Sequence, residues 1–131
     1  MFVDASAWTA ILLNEPERDR LRSSLVSAVT ILTSPIANWE TVRALSRETS
    51  DSIAMAAARL AALQASVGAR GVTIGPAEQV MALEVHARFG KGVHPARLNM
   101  GDCFAYACAR TNAVPLLFKG DDFPLTDIEP A

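Results

Sequence analysis

Short apolar runs alternate along this chain with longer stretches whose apolar residues recur at three- and four-residue spacing, and that alternation predicts an α/β fold. Met1–Val3 reads as a first strand. Ser6–Leu13 follows as a helix, with Trp8, Ile11 and Leu12 on one face. Pro16 suits the first turn of a second helix, where Glu17 meets the positive end and Leu21, Leu25 and Val26 share a face. Val29–Thr33, rich in β-branched residues and bounded by Ser34-Pro35, predicts a second strand. A further helix is expected from about Ile36 to Thr49.

Ser50 and Asp51 open the next predicted helix, in which Ile53, Ala57, Leu60, Ala61 and Val67 form a stripe before Gly68 and Gly71 interrupt it. This alanine-rich, charge-poor segment is expected to pack in the core, with a subunit boundary as the alternative. Val72–Ile74 reads as a third strand and Pro76–Arg88 as a helix whose apolar face is Val80, Met81, Leu83 and Val85. Phe89 to Leu98 (FGKGVHPARL) has the composition of a loop. Asn99 can cap the next helix, with Asp102 in its first turn and Cys103–Arg110 continuing it. Leu116–Phe118 predicts a fourth strand, Gly120–Phe123 a turn, and Ile128 a candidate fifth strand. The expected architecture is a three-layer α/β/α sandwich around a mainly parallel sheet of four to five short strands, one domain over residues 1–131.

Half of the 131 residues are hydrophobic, enough for a sizeable core at this length. Charged residues make up 20% with a net charge of −2, so neither a global basic field nor a polybasic run marks a nucleic acid or a membrane as partner. Any RNA contact must therefore be local. Asp4 follows the first strand directly, which leaves no basic segment or long apolar core for a secretory signal and predicts a cytoplasmic protein. No apolar run approaches the roughly 18 residues a membrane span requires, since Arg59 breaks even the alanine-rich stretch. Cys103 and Cys108 are five apart on a predicted helix, which turns them roughly 140° from each other and predicts buried free thiols. His86 and His94 are not spaced with them as a zinc site would require.

Four acidic positions stand where strands end or neighbouring helices begin: Asp4, Glu40, Asp102 and the Asp121-Asp122 pair. Each has an ordinary explanation. Asp4 or Ser6 can cap the first helix, and Asp102 can complement a helix dipole. Glu40 can pair with Arg43 or Arg47 along a solvated helix face, and Gly-Asp-Asp is common turn chemistry. Ligand sites of open parallel sheets nevertheless form at these strand ends, so the four acids together point to convergence on a divalent cation.

The segments MFVDASAW, IANWETVRAL, LNMGDCFAYACAR and PLLFKGDDFPLTDI resemble, in order and over nearly the whole chain, the PIN-domain ribonucleases, specifically the VapC-type toxins of bacterial toxin–antitoxin pairs. GDCFAYA and LLFKGDDF carry the most specific part of that resemblance. It implies that Asp4, Glu40 and Asp102 occupy the three central acidic positions and that Asp122 is the fourth catalytic acid, with Asp121 able to contribute. Ser6 matches a small hydroxyl residue that accompanies the first aspartate. The implied substrate is RNA, and the implied partner is a cognate antitoxin that holds the enzyme inactive in a homodimer or toxin–antitoxin hetero-oligomer. Apolar residues between Ser6 and Val67 are the expected receiving surface for that partner.

Phosphodiester hydrolysis calls for an activated water and stabilised charge, which Mg²⁺ or Mn²⁺ can supply and carboxylates can hold. Mg²⁺ usually takes one or two protein carboxylates, which favours Asp4 and Asp102 as direct ligands, with Glu40, Asp121 and Asp122 acting through water or on a second ion. Lys91, Arg97 and Lys119 precede the acidic positions and are candidates for guiding phosphates. A phosphotransferase with an aspartate nucleophile after strand one would want a second aspartate where this chain has Ser6. The other alternative is a non-catalytic interaction module whose acidic surface binds an arginine-bearing partner.

Overall fold

The computed structural model describes residues 1–131. Its strands are β1 (Phe2–Val3), β2 (Leu32–Thr33), β3 (Arg70–Gly71) and β4 (Leu116–Leu117). They form one sheet in the order β3-β2-β1-β4, and every pairing is parallel. Its helices are α1 (Ala5–Leu12), α2 (Arg18–Ser27), α3 (Pro35–Glu48), α4 (Ile53–Ser66), α5 (Pro76–Phe89) and α6 (Met100–Thr111), and a 3₁₀ turn covers Phe123–Leu125. No helix is long and apolar enough to cross a membrane.

Successive strand residues send their side chains to opposite faces, and this period of two divides the core. Phe2, Leu32 and Leu116 join the α5 and α6 residues Val85, Phe89, Tyr106 and Cys108 on one face. Val3, Leu117 and Ile31 join Trp8, Leu21, Leu25 and Leu60 from α1, α2 and α4 on the other. Phe2, Val3, Leu116 and Leu117 are all fully buried. A sheet covered on both faces gives continuous apolar runs rather than hydrophobic–polar alternation, which is how PLLF and MFV read in the sequence. Both cysteines are free and buried, as their spacing predicts.

Strand order determines where a ligand site can form. The chain moves outward from β1 through β2 to β3, then crosses back to place β4 on the far side of β1. The order therefore reverses at β1, and a crevice opens beyond the carboxyl ends of β1 and β4. Helix α3 reaches this region because Ser34 caps it, accepting the Ala37 N–H at 3.2 Å, while Pro35 supplies a first-turn residue without a donor. A polar chain anchors α3 from below. Trp8 Nε1 donates to Thr33 Oγ1 at 3.3 Å, Thr33 Oγ1 donates to Asn38 Oδ1 at 2.8 Å, and Gln64 Nε2 donates to the same oxygen at 2.7 Å. These bonds satisfy the indole N–H of a fully buried tryptophan and tie α1, β2, α3 and α4 together.

Several expected boundaries shift. The third strand is Arg70–Gly71, with both residues exposed, rather than Val72–Ile74, because pairing with Leu32 and Thr33 decides the strand whatever its β-propensity. Ile128 is buried but forms no fifth strand; a single bridge joins Leu116 to Pro130 instead. The second helix starts at Arg18, two residues after Pro16, and the second strand shrinks to Leu32–Thr33. Ser52, not Ser50 or Asp51, caps α4, and Asp51 pairs with Arg59 instead. On α4 the buried residues are Ala56 and Leu60, leaving Ile53 57% exposed, and on α5 they are Ala82, Val85 and Phe89, leaving Val80 and Leu83 out. Of the alanines in these two helices only Ala56 and Ala82 are buried, so most of the alanine-rich surface of α4, expected in the core, is exposed instead.

The two-residue strands carry little hydrogen-bond energy, so their burial must hold the sheet. Phe2→Ala is expected to cost about 3–5 kcal/mol, read as a lower urea midpoint at unchanged m-value; a cost below about 1 kcal/mol would show that β1 does not organise this core.

Candidate active site

Three sequence segments deliver carboxylates to the crevice at the carboxyl ends of β1 and β4. Asp4 follows β1 and caps α1: its Oδ2 accepts from Ser6 N at 2.9 Å and from Ser6 Oγ at 2.5 Å. Asp102 lies in the first turn of α6, where a reciprocal capping box holds it. Its Oδ2 accepts from Asn99 N at 2.8 Å, and its own N–H donates to Asn99 Oδ1 at 3.1 Å. Glu40 projects from the second turn of α3. All three line one cleft of about 590 Å³. The capping roles read from the sequence are real, and the same side chains also form the acidic wall.

Electrostatics distinguishes this wall from a solvated acidic surface. Asp4 is 3% exposed, and burial raises its pKa against the lowering effect of the Ser6 bonds. Glu40 is raised by burial and then by the nearby charge of Asp4. Asp102 is pushed up to about 7, first by burial, with the Asn99 bond opposing and the charges of Asp4, Glu40 and Asp122 adding to the rise. One buried carboxyl and two half-buried ones, all resisting ionisation, form a site that favours positive charge.

Other sequence-selected residues divide between this site and elsewhere. Asp122 stands at the start of the 3₁₀ turn; its charge reaches Asp102, whereas that of Asp121 is not among those acting there. Ser6 lines the cleft with its hydroxyl committed, donating to Asp4 and accepting Lys119 N at 3.0 Å, so it links the β1 and β4 ends. Lys119 also lines the cleft, and its ammonium pairs with Glu15 and Glu17. Lys91 and Arg97 line a separate shallow depression with His94. Glu40 makes no ion pair with Arg43 or Arg47: Arg47 pairs with Glu48 at 3.0 Å, and the Arg43 guanidinium lies over the Trp39 ring at 4.9 Å.

Gly101, Trp39, Arg43 and Arg47 also belong to the site, although the sequence reading did not select them. A Cβ built on Gly101 would overlap the Glu40 carboxylate, so glycine here leaves the room that the carboxylate occupies, and a larger residue would make it swing away. A glycine inside a predicted helix, immediately before an acid, is the signal that marks such an approach. Trp39, Arg43 and Arg47 share the cleft lining with Glu40 because they fall within two turns of it on α3.

The donor set suits a hard divalent cation. It consists of carboxylate oxygens, and no thiol or imidazole enters it. No three acidic, His or Cys side chains close up into a ready-made cage. Mg²⁺ does not require one, since it keeps several waters and takes one or two carboxylates.

The PIN domain family model matches residues 1–129. A VapC ribonuclease of Rhizobium meliloti is 39% identical, with 97% of this chain and 98% of that protein covered. A ribonuclease VapC of Mycolicibacterium smegmatis is 35% identical, covering 98% and 97%. Among solved structures, Mycobacterium tuberculosis VapC20, a sarcin-ricin loop cleaving toxin, superposes with a TM-score of 0.71 over 98% of both chains at 23% identity, a likeness of fold. The strand order, the acidic crevice at its switch point and these full-length matches lead to one conclusion: the chain belongs to the PIN-domain family, among its VapC-type members.

Proposed function

We propose that this chain is a single-domain, Mg²⁺- or Mn²⁺-dependent endoribonuclease, the toxin of a toxin–antitoxin pair, and that the acidic cleft is its active site. The observation that carries this reading is the convergence of Asp4, Glu40 and Asp102 on one cleft with their pKa values raised. The VapC ribonucleases that match along their whole length support it.

Asp4 and Asp102 would hold the ion, and Asp122, whose charge reaches Asp102, would act through water or on a second one, with its neighbour Asp121 the further candidate. When bound, the ion supplies charge stabilisation for the phosphodiester and makes water acidic enough to attack near neutral pH. The chain's own residues do the rest. Ser6 orients Asp4 through its two hydrogen bonds, and Asn99 orients Asp102. Glu40, whose carboxyl is held above its usual range, suits the role of taking a proton from the attacking water. Arg43 and Arg47 along the cleft offset the carboxylates for an approaching phosphate backbone, and Lys119 would join them on exchanging Glu15 and Glu17 for a phosphate. Ile53 and Met55, each 57% exposed on α4, offer an antitoxin an apolar docking face. The alternative, an acidic module binding an arginine-bearing partner, lacks an account of why Asp4 is buried at the floor of the cleft rather than displayed.

Three outcomes follow. Sequencing of RNA ends after expression should show discrete cleavage sites that vanish with Asp4→Asn, and Glu40→Gln should lower purified activity by about 10²–10⁴-fold; cleavage surviving exhaustive chelation would rule out the metal. In metal-free protein Asp102 binds its proton more tightly when folded than when unfolded, so stability should fall as pH rises from about 4 to about 7. Mg²⁺ should recover that loss, and Asp102→Asn should flatten both effects in thermal melts. Gly101→Ala should retain the helix, because alanine favours it, while displacing the Glu40 carboxylate and cutting cleavage by about 10²-fold; wild-type activity in this variant would show that the position of Glu40 is not required.

A further inference from the structure

Trp39 stands apart from the other aromatic residues of this chain. Trp8, Tyr106 and Phe2 are fully buried, whereas Trp39 remains 57% exposed. It lies on the wall of the acidic cleft, adjacent in sequence to Glu40. The Arg43 guanidinium, one helical turn on, covers one face of its ring at 4.9 Å from the centroid. Arg47 continues the stripe along the same cleft wall. Beyond that guanidinium the indole remains largely open to solvent.

We propose that the Trp39–Arg43 pair is a base-stacking platform, on which an unpaired nucleobase beside the scissile phosphate stacks while Arg43 and Arg47 meet the flanking phosphates. The proposal rests on the ribonuclease reading above and adds to it a contact that selects for unstacked RNA. Three features favour RNA over a protein partner at this position. The ring borders the carboxylates rather than a remote apolar patch. Its neighbours on the wall are cations, which complement a phosphate backbone. The planar guanidinium already on the ring can take part in the same stack. In a duplex each base is already stacked on its neighbours, so the platform discriminates by pairing state and tolerates sequence.

The chain has two tryptophans, and since Trp8 is fully buried, emission changes on ligand binding report Trp39. The experiment titrates an Asp4→Asn protein, in which asparagine can still cap α1, with a single-stranded oligoribonucleotide of mixed sequence and with the same strand annealed to its complement. The single strand is expected to quench Trp39 and the duplex to leave it unchanged. Adding Trp39→Ala should weaken single-strand binding by about 5- to 150-fold, and Trp39→Phe should restore most of it. Equal binding by the Trp39→Ala protein, or quenching by the duplex as strong as by the single strand, would overturn the proposal. So would a Trp39→Ala protein that binds RNA normally but no longer captures the co-expressed product of the neighbouring gene, since the ring would then belong to a protein interface. If the wild type cleaves no RNA with Mg²⁺ or Mn²⁺ and the Asp4→Asn protein binds none, the ribonuclease reading itself falls and takes the platform with it. Normal cleavage with an unquenched Trp39 removes the platform alone.

Discussion

A two-residue strand at the centre of the sheet, ending in a carboxylate that is almost fully buried, is the constraint around which this molecule is arranged. Phe2 and Val3 enter opposite halves of the core, so β1 is pinned from both faces, and Asp4 follows with no slack. An aspartate held in that place must be compensated. Ser6 supplies two hydrogen bonds, which oppose the effect of burial without cancelling it, because the carboxyl still resists ionisation. The remaining demand for positive charge is shared with Glu40 and Asp102 across the cleft.

Ordinary helix capping and the making of an acidic site are one act here. Asp4 and Asp102 satisfy orphan N–H groups at the starts of α1 and α6, and those bonds hold their carboxylates in orientation. The capping bonds also keep the two acids from relaxing away from each other, as free surface carboxylates would. Gly101 performs the matching service for α3, since its missing side chain is the space in which the Glu40 carboxylate lies. The cleft depends on close approach of α3 and α6 as much as on the acids themselves.

Cations around the cleft show a division of labour. Arg43 and Arg47 stand on its wall, Lys119 is engaged with Glu15 and Glu17, and the Lys91–Arg97 loop faces a different depression. Nearness in sequence to an acidic position did not translate into nearness in space for that loop. It bulges between α5 and α6, with Gly92 and Arg97 in left-handed backbone conformation, and turns its charges away from the acids' cleft.

The sequence by itself determined the strand–helix alternation, the cap at Asn99, the burial of the cysteines and the identity of the acids, because local patterns and short motifs carry these features. Only the tertiary structure decided the rest. Strand pairing moved β3 onto Arg70–Gly71 against its own propensity, and helix packing buried only Ala56 and Leu60 of α4 and Ala82, Val85 and Phe89 of α5, leaving the other alanines with Ile53, Val80 and Leu83 outside. The raised pKa of Asp102 arises first from burial and then from charges as far away along the chain as Asp4, neither of which a local pattern encodes. Trp39 and Gly101 acquired meaning for the same reason: each matters through what another segment brings beside it.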